Sequence, residues 1–373
     1  MKLLFIHLLN NYTGSPRVLS NFLMEYVKFK NEIHLLTSKT QGCLSDIQNV
    51  HYHFNGYKWI SNKLILAIFL LISQIYQFLF VLFGKKYDCV YINTILPFGA
   101  ALACKIRGFK TVYHIHEFYP NSSIMQKVCV FFVKHCASKV IFVSDYLRKC
   151  YKNVFSCECK VIHNSVSVEF HKKAYLIVNK RNIEYFENYL TQKFSNKQIV
   201  LPCALKKYKG VFLFVELAKL LPDYNFILVT SNSKAETKVF FENTELSKNL
   251  QIENEVKDMS KIFSSASLVM NLSVPHGADR FIETFSMILI ESFEFATPCI
   301  ASCYGGPLEI IQQGENGFLL EIENLLQVKE KIEYLFSDYN RYTDFCNCAY
   351  SRSKDFLPND FVNNIKNYLE QNI

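Results

Sequence analysis

Two doubly wound α/β halves, each a parallel sheet flanked by helices, are the fold class this chain predicts. Three observations carry the prediction. Short apolar, β-branched runs alternate with helical stretches from the first residues onward, which is the rhythm of parallel strands joined by helices. That rhythm stops in a polar stretch rich in Asn, Lys, Glu and Tyr over residues 178–197, and then restarts. Finally, 373 residues that are 50% hydrophobic and 20% charged supply two ordinary cores and exclude a disordered chain.

In the first half, strands are expected at 3–7, 33–37, 90–93, 111–116, 140–144 and 161–164. The opening Met-Lys-Leu-Leu-Phe-Ile-His passes straight into this pattern with no cleavage-site composition, so it reads as a strand and not as a leader. In the second half, strands are expected at 199–205, 226–231, 250–253, 268–273, 299–302 and 318–321. The division that follows is a first domain over 1–178, a linker region over 179–197, a second domain over 198–355 and a terminal segment over 356–373 with a helix near 360–369. Two such halves would hold a ligand in the cleft between them, at the carboxyl ends of the strands.

Residues 64–83 break the globular pattern. Twenty residues without a charge are long enough, as a helix, to cross a bilayer. A crossing there would part strands that should share one sheet, and Ser73, Gln74 and Gln77 gather on one helical face. Two readings stay open: a helix buried mainly in the protein, or a helix that dips its apolar face into a membrane surface between the anchors Trp59, Lys63, Lys85 and Lys86. Membrane-surface contact through 64–83 is the expectation carried forward.

The net charge of +8 is spread over small clusters, and no nucleic-acid-binding module is present. Phosphorylated substrates or an anionic membrane surface are therefore expected in place of nucleic acid. Thirteen cysteines, an odd number with no Cys-x-x-Cys, read as buried reduced thiols of a cytosolic protein and not as a zinc site.

Most of the chemistry lies between Ile282 and Gly317. Glu283 and Glu291 bracket an apolar helical run, and Pro298 followed by Cys-Ile-Ala stops that helix and starts a buried strand. With the helix expected over 284–296, Glu283 stands at its mouth beside the amides of Thr284, Phe285, Ser286 and Met287, which can hold an anion or a sugar hydroxyl. Glu291 is two turns further in, roughly 12 Å along the axis at about 1.5 Å per residue. That is too far for one acid–base pair and suits two contacts on an elongated ligand.

Upstream, the loop Lys206-Lys-Tyr-Lys209-Gly210 follows a strand and opens a helix, which sets cations where phosphates would lie. His114 and His116 share one face at the end of a strand, so one can be interior while the other reaches a ligand. Asn-Asn-Tyr-Thr-Gly-Ser-Pro-Arg over 10–17 makes a strand-to-helix turn able to present amides to phosphate or acceptor, with Gly14 the candidate residue and Arg17 a weaker one. The absence of Gly-x-Gly-x-x-Gly argues against a dinucleotide oxidoreductase, and the absence of Asp-x-Asp leaves a metal-bound diphosphate without visible ligands.

Glu283, Glu291, Pro298, Gly305-Gly306 and Glu309 together resemble the motif of retaining glycosyltransferases of family 4, the glycosyl transferases group 1 set with the GT-B fold of two Rossmann-like domains facing a central cleft. The likeness is strong over 199–321 and mainly topological before it. It implies that Glu283 and the amides of 284–287 meet the donor sugar, that Glu291 meets the ribose, and that Lys206 and Lys209 neutralise the departing diphosphate. It assigns His116 to the sugar and leaves His114 interior, it likens Gly14 to the family's glycine-rich first loop, and it has the helix near 360–369 cross back to pack on the first domain. Further implications are a nucleoside diphosphate sugar as donor, a hydroxyl of a glycan or lipid-linked acceptor, no cofactor and no metal. The setting implied is bacterial surface polysaccharide synthesis, on the inner face of the cytoplasmic membrane.

This chain departs from the family's pattern with Lys206 for Arg, Ser15 and Ser286 for Gly, and His163 and Ser165 for Pro and Gly. Two rivals follow: a related two-domain phosphorylase or epimerase, and a membrane-docked, catalytically impaired glycan-binding or scaffold subunit.

Overall fold

The structure, a computed structural model, describes residues 1–118, 124–178, 183–275 and 282–371. The chain divides into two compact units, Met1–Ser165 with Pro358–Ile373, and Val166–Leu357. In the first, the described residues give one parallel sheet of β1 (Lys2–Ile6), β2 (Glu32–Thr37), β3 (Val50–Phe54), β4 (Cys89–Asn93), β5 (Lys110–Ile115), β6 (Lys139–Phe142) and β7 (Glu158–Val161), in the order β3-β2-β1-β4-β5-β6-β7. In the second they give β8 (Gln198–Pro202), β9 (Asn225–Thr230), β10 (Leu250–Asn254), β11 (Leu268–Asn271), β12 (Cys299–Ser302) and β13 (Gly317–Leu320), in the order β10-β9-β8-β11-β12-β13.

The central strands are buried on both faces, which is why they read as unbroken apolar runs such as Leu-Leu-Phe-Ile in β1 and Cys-Ile-Ala-Ser in β12. Each sheet changes its direction of winding once, between β1 and β4 and again between β8 and β11. Loops leaving the carboxyl ends of those strand pairs diverge and open a crevice there. The doubly wound α/β architecture expected from the sequence is thus the observed one in both units.

The first unit's core is aromatic. Phe22 stacks on Tyr26 at 4.7 Å and lies 5.9 Å from Phe5, while Phe361 of the helix Pro358–Glu370 meets Phe22 edge-on at 6.4 Å. Tyr368 of the same helix donates to the Glu158 carbonyl at 3.0 Å, beneath the Lys139 ammonium 4.6 Å from its ring. The chain's last described helix is therefore part of the first unit.

Two expectations need correction. The boundary falls after Ser165 and not at 178, because helix Val168–Val178 packs in the second unit, with Phe170 edge-on to Phe295 at 5.5 Å. Most of the expected linker is helix Ile183–Asn196, held by the buried Lys193, whose Nζ donates to the Phe295 carbonyl at 2.8 Å and Thr297 Oγ1 at 2.5 Å. Residues 179–182 of that span, like 372–373 of the terminal segment, lie outside the described residues. Of the two readings left open for 64–83, observed as helix Lys63–Phe83, the mainly buried one does not hold: 22% of its most apolar stretch is buried.

Candidate active site

In the second unit, the loop after β8 and the segment after β11 converge at the crevice. Residues Lys207–Lys209 form a single 3-10 turn, and Gly210 leaves it at φ +72°, where a Cβ would lie 2.2 Å from the Leu272 carbonyl oxygen. The Val274 amide donates to the Tyr208 carbonyl at 2.9 Å and ties the two segments together. On this support Lys209 Nζ donates to Glu283 Oε2 at 2.6 Å, and Ser273 Oγ donates to the same oxygen at 3.3 Å. Burial pulls the Lys209 pKa down, but the Glu283 carboxylate outweighs it and the ammonium is held above its ordinary value. Lys206 is exposed, with its ammonium 5.6 Å from the Tyr208 ring centroid.

The glycines of the sequence motif have a steric reason. Gly306 donates its amide to the Glu283 carbonyl at 2.7 Å, and a Cβ on it would fall 2.5 Å from the Thr284 carbonyl oxygen and 2.6 Å from Phe285 Cα. Gly305, at φ +75°, comes equally close to the Glu283 carbonyl. This contact also corrects the expected helix. The helix runs Met287–Phe293 and not from 284: the Glu283 carbonyl accepts from the Gly306 amide, and Ser286 at the N-cap is still extended, at φ −105° and ψ 102°.

Glu283 thus sits in an extended turn before the helix, so the 12 Å separation along a shared axis does not apply. Thr284 and Phe285 belong to the same turn, Ser286 is the N-cap and Met287 the first helical residue. Ser286 Oγ accepts from Asn271 Nδ2 at 2.6 Å, which draws the hydroxyl inward. Glu291 is buried at 1% exposure inside the helix, deeper than a solvated ribose contact would suggest.

In the first unit, polar side chains collect at the crevice between β1 and β4. Asn93 Nδ2 donates to the Ser15 carbonyl and to His7 Nδ1, both at 3.0 Å, which leaves its Oδ1 to accept from His116 Nε2 at 2.8 Å. Because a carbonyl only accepts, this network orients the Asn93 amide and puts the His116 proton on Nε2. The rings of His114 and His116 lie 4.1 Å apart, and His114 Nδ1 bonds the Tyr91 hydroxyl at 2.5 Å. Burial keeps all of them neutral: His7 falls to about 4, His114 to about 3, and His116 well below its ordinary value, helped by His114 and His7.

Beside them burial pushes the Glu117 carboxyl up to about 7. Its Oε2 is buried without a hydrogen-bond partner among the described residues. Gly14 begins helix Gly14–Tyr26, and a Cβ there would meet open space, so nothing in the fold requires glycine at that position.

Sequence reading missed His7, Asn93, Glu117, Asn271 and Ser273. All stand at or just past the ends of β1, β4, β5 and β11, so a polar residue closing an apolar strand beside the winding change is the signal that could have found them.

A family profile described as Glycosyltransferase Family 4 matches residues 12–170, and one described as Glycosyl transferases group 1 matches residues 186–352. An uncharacterised glycosyltransferase of Haemophilus influenzae is 27% identical over 175 residues, 44% of this chain and 46% of that protein. Another, from Methanocaldococcus jannaschii, is 29% identical over 184 residues, 49% of each. The matches span about half the length of these curated relatives. The crystal structure of Anabaena HepE in complex with UDP and glucose superposes with a TM-score of 0.76 over 100% of both chains at 18% identity, a likeness of fold.

Proposed function

The chain belongs to the glycosyltransferases of family 4 and group 1, and from that premise we propose that it moves a sugar from a nucleoside diphosphate sugar to a hydroxyl of a glycan or lipid-linked acceptor, with retention at the anomeric carbon and without a metal. The setting in this reading is bacterial surface polysaccharide synthesis, in the cytoplasm where nucleotide sugars are found. The observation that carries it is the Lys209–Glu283 pair at the winding change of the second unit, backed by the close approach of Gly305 and Gly306.

In this reading Glu283 and the turn 284–287 bind the donor sugar, Glu291 supports the ribose side from within the helix, and Lys206 and Lys209 face the diphosphate. Charge develops on the leaving phosphate as the bond from the anomeric carbon to the phosphate oxygen breaks. Two ammonium groups there stabilise the transition state more than the ground state. The acceptor oxygen bonds the same face of the anomeric carbon, and its proton passes to the departing phosphate oxygen. His116, neutral with its Nε2 proton given to Asn93, would accept at the sugar through Nδ1 without carrying charge. Gly14 leaves room for a ligand beside the first helix of its unit.

Calorimetric titration with UDP, GDP, TDP and ADP in EDTA tests the reading, with Lys206→Ala and Glu283→Gln alongside. One nucleotide should bind the wild type and lose at least tenfold in affinity in Lys206→Ala. Glu283→Gln should retain nucleotide binding and lose transfer from the matching sugar nucleotide, with a retained anomer in the wild-type product. No nucleotide bound by well-folded protein would overturn the reading in favour of a glycan-binding scaffold.

A further inference from the structure

Helix Lys63–Phe83 is turned inside out for a protein in water. Its polar side chains Ser73, Gln74 and Gln77 are buried, while Leu64, Ile68, Leu71, Ile75 and Phe83 are each more than half exposed. Spacings of four, three and four residues put Leu64, Ile68, Leu71 and Ile75 in one stripe, and Phe83 lies about two turns beyond it. The inward face is fastened: the Gly99 amide donates to Gln74 Oε1 at 2.9 Å, and Arg107 Nη1 donates to the Val81 and Gly84 carbonyls at 2.9 and 2.8 Å.

Two further helices in the same packed row also expose apolar side chains. Helix Phe98–Arg107 packs on Lys63–Phe83 and helix Ile124–Cys136 packs on Phe98–Arg107, and these expose Ile106, Ile124 and Phe131, each more than half accessible. So many exposed apolar side chains on three neighbouring helices are unusual for a protein surrounded only by water. Spanning is excluded by topology, since the helix joins β3 and β4, which lie in the same sheet.

Charge selects the occupant. The three helices carry Lys63, Lys105, Arg107, Lys127 and Lys134 and contain no acidic residue. Lys58 and Trp59 before the long helix, and Lys85 and Lys86 after it, are exposed as well. Apolar stripe, basic rim and interfacial tryptophan together match an anionic bilayer surface, in which a helix lying flat sinks roughly 5–10 Å. We infer that helices Lys63–Phe83, Phe98–Arg107 and Ile124–Cys136 form a docking face that seats the first unit on an anionic lipid surface. The inference is independent of the donor chemistry and is tested without nucleotide.

Flotation of the full chain with phosphatidylethanolamine vesicles containing phosphatidylglycerol, against phosphatidylcholine vesicles, gives the readout. Trp59, the chain's one tryptophan, serves as a reporter. The wild type should prefer the anionic vesicles at least tenfold, with a blue shift of Trp59 emission. The exposed-face variant Ile68→Glu/Leu71→Glu/Ile75→Glu should bind at least tenfold less while keeping the wild-type melting temperature. Changing Lys63, Lys105, Lys127 and Lys134 to Ser should remove the anionic preference and spare part of the binding. A wild type that stays unbound, undiminished binding in the Glu variant, or a lipid-indifferent dimer that the Glu variant dissociates would each overturn the inference.

Discussion

Two lysines of the second unit are buried to opposite effect. Lys209 shares its surroundings with the Glu283 carboxylate, so its charge survives partial burial and its pKa is raised. Among the described residues Lys193 has only neutral acceptors, the Tyr189 hydroxyl, the Phe295 carbonyl and Thr297 Oγ1, and burial drives it from the ordinary 10.5 down to about 7. Between those values the unfolded chain holds a proton that the folded chain gives up, so stability rises with pH across that window and falls as pH drops towards 7. The slope contributed is at most about 1.4 kcal/mol per pH unit. Urea unfolding at pH 7 and pH 9 should therefore show the wild type gaining stability relative to Lys193→Met. The variant itself should lose about 1–3 kcal/mol at pH 9 by leaving buried acceptors unmet. Equal pH slopes in the two proteins would mean that Lys193 keeps its proton when folded.

Single elements divide between those the sequence declares and those set by contacts distant in the chain. Central parallel strands are declared, because burial on both faces demands runs such as Val-Ile-Phe in β6 and Ile-Val-Leu in β8. β3, Val-His-Tyr-His-Phe, is not, since its side chains are only partly buried and its polar residues break the run. Helix Ile183–Asn196 is polar enough to read as linker, and its anchor Lys193 looks solvated until Phe295 and Thr297 are brought to it from about a hundred residues away. The candidate site follows the same rule. Glu283, Lys206 and Lys209 were legible as a motif, whereas Asn93 and His7 were not, because their meaning lies in a bond across 86 residues. The turn 283–286 tests this at its own scale. Gly306→Ala puts a methyl against the Thr284 carbonyl and Phe285 Cα, an overpacking that costs about 1–3 kcal/mol unless the turn moves. The expected result is a lower melting temperature together with at least tenfold weaker use of the sugar nucleotide. An active, fully stable variant would show the turn to be more yielding than its contacts imply.

At the scale of the whole molecule, the chain order and the structural order differ. The first unit is assembled from Met1–Ser165 and Pro358–Ile373, with the entire second unit inserted between them. Its last helix contributes Phe361, Ile365, Tyr368 and Leu369 to the core, all buried. At about 1.5–3 kcal/mol for each fully buried side chain, their sum is comparable with the 5–15 kcal/mol by which a whole domain is stable. A chain ending at Leu357 should therefore lose the first unit's cooperative fold, although the missing residues are far from it in sequence. The second unit keeps its own sheet and core, so it should stay folded. Hydrogen exchange measured by mass spectrometry separates the two: protection should collapse in β1 to β7 and persist in β8 to β13. Nucleoside diphosphate binding, if it resides in the second unit as proposed, should survive the deletion while transfer to an acceptor is lost. Protection lost equally in both sheets would mean that the units fold as one, and protection unchanged in either would mean that the terminal helix is dispensable to the core it enters.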